Sequence, residues 1–190
     1  MSMSEPKFTP EPWSMDKPIL DACCGSRMFW FDKDNPNVLF VDNRELETSA
    51  IWKSSISNAR RYCKVHPDIL ADFRHLPFDD ETFAHVVFDP PHLTTIGDSS
   101  WMAKKYGKLP AEWRQYLHDG FTECWRVLKT YGTLVFKWSE TQISVKNIIT
   151  AIGKVPLYGH KCGRLSKTHW LVFVKLPKDR AVLTSQGEAR

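Results

Sequence analysis

Five short apolar runs along the chain, each bounded by turn residues, predict buried strands. The runs are PILD, VLFVD, DILAD, FAHVVFD and YGTLVFKW, at positions 18–21, 38–42, 68–72, 83–89 and 131–138. A final apolar stretch, 155–176, has Gly163 near its middle and predicts a closing hairpin around that glycine.

Other segments favour helices. Apolar residues in 109–129 recur every three or four positions, and Pro110 suits the start of a helix there. Segment 144–153, SVKNIITAIG, predicts a second helix ended by Gly153. Segment 45–63 is composed of helix-compatible residues, so we expect a helix there too. After the first strand, SRMFWF leaves room for only a very short helix.

Strands that alternate with helices predict an α/β fold with a doubly wound, Rossmann-like, mostly parallel sheet and a C-terminal antiparallel hairpin. The length of 190 residues suits one domain. We expect this domain over 18–178, between a polar, proline-broken arm at 1–17 and a tail at 179–190.

Composition excludes some classes of protein. The chain is 42% hydrophobic and 25% charged, as in globular proteins, and its net charge of +4 leans weakly toward anionic partners. Five cysteines, without a C-x-x-C pair, predict a reduced cytoplasmic chain with no metal site. No signal peptide or membrane span is expected.

Acidic residues end four successive predicted strands: Asp21, Asp42, Asp72 and Asp89. Ligands of such sheets bind beyond the carboxyl ends of the strands. Asp42 follows Asp21 by 21 residues, which suits a carboxylate that holds the ribose of an adenosine-containing cofactor. Asp72 can accept from an adenine amino group while Phe73 packs on the base, although a turn role explains Asp72 equally well.

The loop after the fourth strand reads Asp89-Pro90-Pro91-His92. The prolines remove two backbone donors and stiffen the loop. The Asp89 carboxylate and the Pro90 carbonyl then offer two acceptors, which suit an exocyclic amine with two N–H donors. Holding both donors would push the amine nitrogen toward a pyramidal geometry and free its lone pair. A simple strand stop explains a Pro-Pro pair alone; the three other acid-ended strands favour a site.

These segments resemble class I S-adenosylmethionine-dependent methyltransferases of the amino-group type, including small prophage-type adenine-N6 DNA methyltransferases. The resemblance rests on ILDACCG, VLFVDNR, ILADFRHLPFDDETFAHVVFDPPH and FTECWRVLKTYGTLVFKW, and it spans roughly residues 18 to 175. It implies S-adenosylmethionine as cofactor and a sheet of the Rossmann-like methyltransferase type. The cofactor's methionine would lie on Asp21, Cys23 and Gly25, its ribose on Asp42, and its adenine on Asp72 and Phe73.

The same resemblance assigns the target base to Asp89, Pro90, Pro91 and His92. The family's motif is (D/N/S)-P-P-(aromatic), and the aromatic ring stacks on a base turned out of its helix. His92 takes the place of that ring here, so the identity of the target base stays open.

Basic residues point to a nucleic-acid partner. Loop 93–110 interleaves aromatic residues with Lys104 and Lys105, which suits an unstacked strand. Segment 141–178 carries seven Lys or Arg and no acid, and we expect Lys161, Arg164 and Lys167 to contact phosphates. A solvated loop or face is the ordinary alternative for both segments.

The sequence therefore predicts an enzyme that methylates an exocyclic amine, with adenine N6 in DNA first, RNA second and a protein glutamine amide third. A nicotinamide dehydrogenase is a rival on the same fold, but it calls for a fuller G-x-G-x-x-G than the single Gly25 of DACCGS. An inactive methyltransferase-like binding subunit is the non-enzymatic rival.

Overall fold

A computed structural model describes residues 17–53, 58–163 and 165–177. The predicted arm (apart from Lys17) and the tail lie outside these residues. The strands are β1 (Ile19–Asp21), β2 (Val38–Asp42), β3 (Leu46–Lys53), β4 (Asn58–Val65), β5 (Ile69–Leu70), β6 (Phe83–Phe88), β7 (Leu128–Ser139), β8 (Tyr158–Lys161) and β9 (Thr168–Val174). The helices are α1 (Trp101–Tyr106), α2 (Trp113–Val127) and α3 (Val145–Ile152).

A seven-stranded mixed sheet organises the fold, in the order β5-β2-β1-β6-β7-β9-β8. Strands β5, β2, β1, β6 and β7 are parallel, whereas β9 runs antiparallel between β7 and β8. The predicted α/β class and mostly parallel sheet are confirmed. Because β1, β2 and β6 are parallel neighbours, their acid-bearing carboxyl ends meet at one edge.

The two faces of this sheet are covered differently. On β2, Leu39 and Val41 face a large core that contains residues of α2 and α3. The alternate residues, Val38 and Phe40, face a smaller cluster with Trp30, and no residue of a described helix belongs to it. In the described part of the chain, the residues that pack on this second face of β2 belong to β1 and to turns.

The helix expected over 45–63 is wrong, because β3 and β4 form an antiparallel pair of eight residues each. Burial alternates along β4: Cys63 and Val65 are buried, and Tyr62 and Lys64 are exposed. This period of two is that of a strand, and helix-compatible composition does not reveal it. The segment after β1 likewise forms turns rather than the very short helix.

The two other predicted helices are confirmed. Helix α2 presents Leu117, Phe121 and Cys124 to the core. Helix α3 begins after Ser144, whose hydroxyl accepts from a backbone N–H in the first turn, and ends at Gly153 with φ 68°. A left-handed residue at that place favours glycine. Among the described residues, no helix has both the length and the apolarity needed to span a bilayer.

Gly120 allows helix α2 to pack closely against the rings of Phe73 and Phe88. A Cβ there would lie 2.5 Å from the ring of Phe73 and 3.1 Å from that of Phe88. Phe73 cannot swing aside, because its ring packs edge-on against Phe88 and Tyr116 at centroid distances of 5.1 and 5.0 Å. We expect Gly120→Ala to destabilise the protein by about 1–2 kcal/mol, since overpacking outweighs the helix preference for alanine.

Urea unfolding of Gly120→Ala would measure this loss. The control is Thr122→Ala, an exposed position of the same helix, where the free energy of unfolding should stay level or rise slightly. Equal stability of the two variants would mean that the Phe73 ring has room to move.

Candidate functional site

A cavity of about 440 Å³ opens at the carboxyl edge of the parallel strands. Its volume lies within the range of small-molecule sites. The loops after β1, β2 and β6, helix α1 and the end of β7 all contribute to it. Its predicted site residues are Cys23, Gly25, Asp42, Phe73, Asp89, Pro90, Pro91, His92 and Lys105. Asp21, Asp72, Lys104, Lys161 and Lys167 do not line it.

Asp42 fixes the first loop of the cavity. Its Oδ2 accepts from the backbone N–H of Gly25 at 2.9 Å, and Gly25 has a left-handed φ of 50°. Arg44 donates three hydrogen bonds to the same carboxylate. Its backbone N–H and its Nε each lie 3.0 Å from Oδ1, and its Nη2 lies 3.3 Å from Oδ2. The Asp42 side chain is 3% exposed, so Arg44 shields it where a ribose would bind.

Asp21 lies beneath the cavity instead of lining it. Its Oδ2 accepts from the indole N–H of Trp30 at 2.7 Å, and its Oδ1 from the backbone N–H of Cys23 at 3.3 Å. Burial raises the pKa of Asp21 to about 7, although both hydrogen bonds oppose the shift. Asp21 therefore supports the loop that lines the cavity and does not face the cavity itself.

The side chains of Asp72 and Phe73 have different surroundings. The Asp72 carboxylate turns onto Arg74, whose Nη2 donates to Oδ2 at 2.7 Å. Burial alone would raise the pKa of Asp72, but the hydrogen bonds from Arg74 outweigh it and lower that pKa. Phe73 lines the cavity together with Tyr116, so the predicted adenine pair contributes its ring there, while its carboxylate is turned away.

Asp89 forms an ion pair that the sequence did not suggest. Lys137 of β7 donates from Nζ to Asp89 Oδ2 at 2.5 Å. Burial raises the pKa of Asp89, and the Lys137 ammonium opposes that rise. The ammonium also lies over the rings of Phe29 and Trp170, at 5.2 and 5.8 Å from their centroids. Lys137 thus favours the ionised form of Asp89.

His92 lies within a set of aromatic rings. Its ring centroid is 5.6 Å from that of Tyr106 and 6.4 Å from that of Trp138, in both cases edge to face. Burial lowers the pKa of His92, and the Lys137 ammonium adds to this effect. A neutral imidazole at the cavity wall can present an apolar face to a planar ligand.

The predicted phosphate contacts fall into two groups around the cavity. Helix α1 carries Lys104 and Lys105, and Lys105 lies over the ring of Tyr106 at 4.9 Å from its centroid. In the second group, Lys161 donates to Glu140 Oε1 at 2.9 Å, so it pairs with an acid just outside the acid-free segment. Lys167 is exposed. Arg164 lies outside the described residues.

Sequence reasoning missed Arg44, Lys137 and Tyr116, all of which line the cavity. A signal for Arg44 was present: Asp-x-Arg occurs at 42–44 and again at 72–74, and both arginines bind the acid two residues before them. Lys137 also had one, as a cation inside the apolar run LVFKW. Among the described residues, no group of three or more histidines, cysteines or acids is arranged to hold a metal ion.

Comparisons with known proteins support the fold and go no further. Neither a protein-family model nor a curated protein sequence significantly matches this chain. Among solved structures, the chain is similar to the crystal structure of PH0226 protein from Pyrococcus horikoshii OT3, with 16% identity over 83% of this chain and 81% of that chain. The TM-score is 0.51. At this identity the likeness shows the fold alone, an α/β architecture with a mostly parallel sheet.

Proposed function

We propose that this protein transfers a methyl group from S-adenosylmethionine to an exocyclic amine, with adenine N6 in DNA as the leading target. The observation that carries the proposal is the composition of one cavity. The Gly25 loop, Asp42 and Phe73 line it together with Asp89, Pro90, Pro91 and His92. Four of the six residues predicted to hold a cofactor and all four predicted to hold a target amine thus line one cavity, whose volume suits a small molecule.

The residues present fit the cofactor. Asp42 is an acceptor for ribose hydroxyls, and the 3.3 Å bond from Arg44 Nη2 is the longest of its contacts with Arg44, so a hydroxyl would replace that bond first. The rings of Phe73 and Tyr116 offer an apolar wall for a base. The reversed strand β9 also supports a methyltransferase over a dinucleotide-binding enzyme, whose sheet order 3-2-1-4-5-6 has no antiparallel strand at that place.

The chemistry assigned to this chain centres on Asp89. The residues lining the cavity would hold S-adenosylmethionine, which when bound would supply an electrophilic methyl group; transfer would exchange the methyl–sulfur bond for a bond to the amine nitrogen. Lys137 binds Asp89 Oδ2, which leaves Oδ1 to accept an N–H of the target amine. Positive charge develops on that nitrogen, so the bond to an ionised Asp89 strengthens in the transition state. The released amine proton leaves to water, and His92 stacks on the base.

Asp42→Ala should weaken S-adenosylmethionine binding by about 1–3 kcal/mol, because it removes a charge-assisted hydrogen bond to the ribose. Calorimetry measures this loss. Asp72→Ala is the matched comparison, since Arg74 holds Asp72 much as Arg44 holds Asp42. Its loss should be smaller, because Asp72 does not line the cavity. Undiminished affinity in Asp42→Ala, or binding of NAD by the parent protein, would contradict the cofactor site.

The reaction itself is tested by supplying S-adenosylmethionine with a labelled methyl group to DNA, RNA and protein pools. Nucleoside and amino-acid analysis then identifies the product. Label in N6-methyladenine of DNA supports the proposal. Label in RNA or in glutamine would move the target to that polymer. Cofactor binding without any methyl transfer would support the alternative, an inactive methyltransferase-like binding subunit.

A further inference from the structure

We infer that the β3–β4 hairpin is a DNA-binding ribbon, whose exposed face enters the major groove of a B-form duplex beside the cavity. Its coupling to catalysis rests on the proposed function. The hairpin is a sheet of its own, separate from the seven-stranded sheet. Two-stranded hairpins are marginal in water by themselves, so the surface that this one leaves uncovered calls for an explanation.

One face of the hairpin packs on the protein only near the base, where Leu46, Thr48, Cys63 and Val65 are buried or half-buried. Farther along the same face, Ala50 and Arg61 are exposed. The outer face includes three directly opposed pairs whose side chains the structure describes: Glu47 with Lys64, Ser49 with Tyr62, and Ile51 with Arg60. All six residues are exposed. Ile51 and Tyr62 keep 59% and 72% of their surface, which marks the outer face as an uncovered sheet face.

Charge favours an anionic partner for this face. Its six exposed residues include two cations and one acid, and residues 46–65 as a whole contain four Lys or Arg and one acid. Arg60 and Lys64 lie on the outer face on either side of Tyr62. Serine, threonine and tyrosine hydroxyls on the hairpin add neutral hydrogen-bonding groups. Cations and hydroxyls are the groups that contact phosphates and base edges in protein–DNA interfaces.

The hairpin rises from the rim of the cavity. Near its base, Cys63 Sγ lies 3.4 Å from the hydroxyl of Ser26, a cavity residue, and 3.9 Å from the carbonyl oxygen of Lys104 in α1. Three further residues along β4, roughly 10 Å, lead to Arg60. A duplex held on the ribbon would therefore lie close to the cavity mouth, where a base turned out of the stack has to enter.

Groove dimensions favour DNA over RNA. The major groove of B-DNA is about 12 Å wide and admits a two-stranded β-ribbon. The major groove of A-form RNA is deep and narrow, and side chains cannot read it. A ribbon with cations and an aromatic ring on one uncovered face therefore fits duplex DNA.

The test is fluorescence anisotropy with a labelled 20-base-pair DNA duplex of mixed sequence, and with the RNA duplex of the same sequence. The double variant Arg60→Gln/Lys64→Gln should bind the DNA duplex about 10- to 100-fold more weakly at 0.1 M salt. Its plot of log K against log salt should be shallower by about two units. The control, Lys129→Gln/Lys154→Gln, removes two exposed cations outside the hairpin and the cavity and should bind normally.

Equal affinity for the two duplexes, or an unchanged salt slope in the hairpin variant, would overturn the inference. If the hairpin variant does not fold, lysine acetylation of the parent protein with and without DNA gives an independent test. Bound duplex should protect Lys64 from acetylation and leave Lys129 reactive. Methyl transfer to a single-stranded oligonucleotide separates the two proposals. If the hairpin variant keeps that transfer and loses duplex binding, both stand; if the parent protein binds duplex through the hairpin without any transfer, only the proposed function fails.

Discussion

Replacing Asp89 by alanine is expected to slow methyl transfer about a hundredfold or more, while affinity for S-adenosylmethionine stays near that of the parent protein. In the proposed reaction Asp89 accepts a hydrogen bond from the target amine, and this bond strengthens as the nitrogen becomes positive. A lost electrostatic stabiliser of a transition state costs about this much. Single-turnover rates with saturating cofactor measure the chemical step, and calorimetry measures cofactor binding.

Asp79→Ala is the matched control for this prediction. Asp79 is an exposed acid just before β6, whereas Asp89 directly follows that strand, so the two acids lie beyond opposite ends of it. The control should retain the full rate. A normal rate in Asp89→Ala would remove Asp89 from the chemistry. A parallel loss of cofactor affinity would instead assign it to cofactor binding.

Replacing Lys137 by methionine is expected to lower the rate at neutral pH by about 10- to 100-fold, the equivalent of one charge-assisted hydrogen bond. Burial raises the pKa of Asp89, and the ammonium of Lys137 opposes that rise. Without the ammonium the pKa rises further, so less of Asp89 is ionised at a given pH. The rate falls as pH drops through the pKa of Asp89, and in the variant this fall should begin at higher pH.

A pH–rate profile distinguishes an electrostatic role of Lys137 from a purely structural one. Activity of Lys137→Met should recover as the pH is raised, and Lys137→Arg should stay close to the parent profile because it keeps the cation. Uniform loss at every pH would show that Lys137 supports the packing of Phe29 and Trp170 rather than the charge of Asp89.

The acids at the strand ends could be predicted because the signal is local. A short apolar run predicts a buried strand, and an aspartate that directly follows the run then lies at the end of that strand. Parallel strands end at a common edge of the sheet. Asp42 and Asp89 lie at one cavity for this reason. The same reasoning put Asp21 and Asp72 there. It could not foresee that Trp30 and Arg74 hold their carboxylates away from the cavity.

The hairpin was missed because composition was weighed above period. Segment 45–63 contains residues that helices tolerate, yet the alternation that ends in buried Cys63 and Val65 belongs to a strand. Long-range pairing between Leu46 and Val65 decides the matter, and intrinsic preferences are too weak to oppose such pairing. The helix predicted for this segment is therefore wrong.

Local patterns along the chain thus determine the parallel strands of the main sheet, the helices α2 and α3, and which residues stand at the edge of the sheet. Only the folded chain decides the charge state and access of that edge. Lys137 reaches Asp89 because β6 and β7 are parallel neighbours in a register that aligns Phe88 with Phe136, one residue before each partner. Arg44 contacts the carbonyl of Lys104 in α1, and the β3–β4 hairpin stands at the cavity rim, through contacts between residues distant in sequence. Burial and neighbouring charge depend on such contacts, and these set the electrostatics of a site.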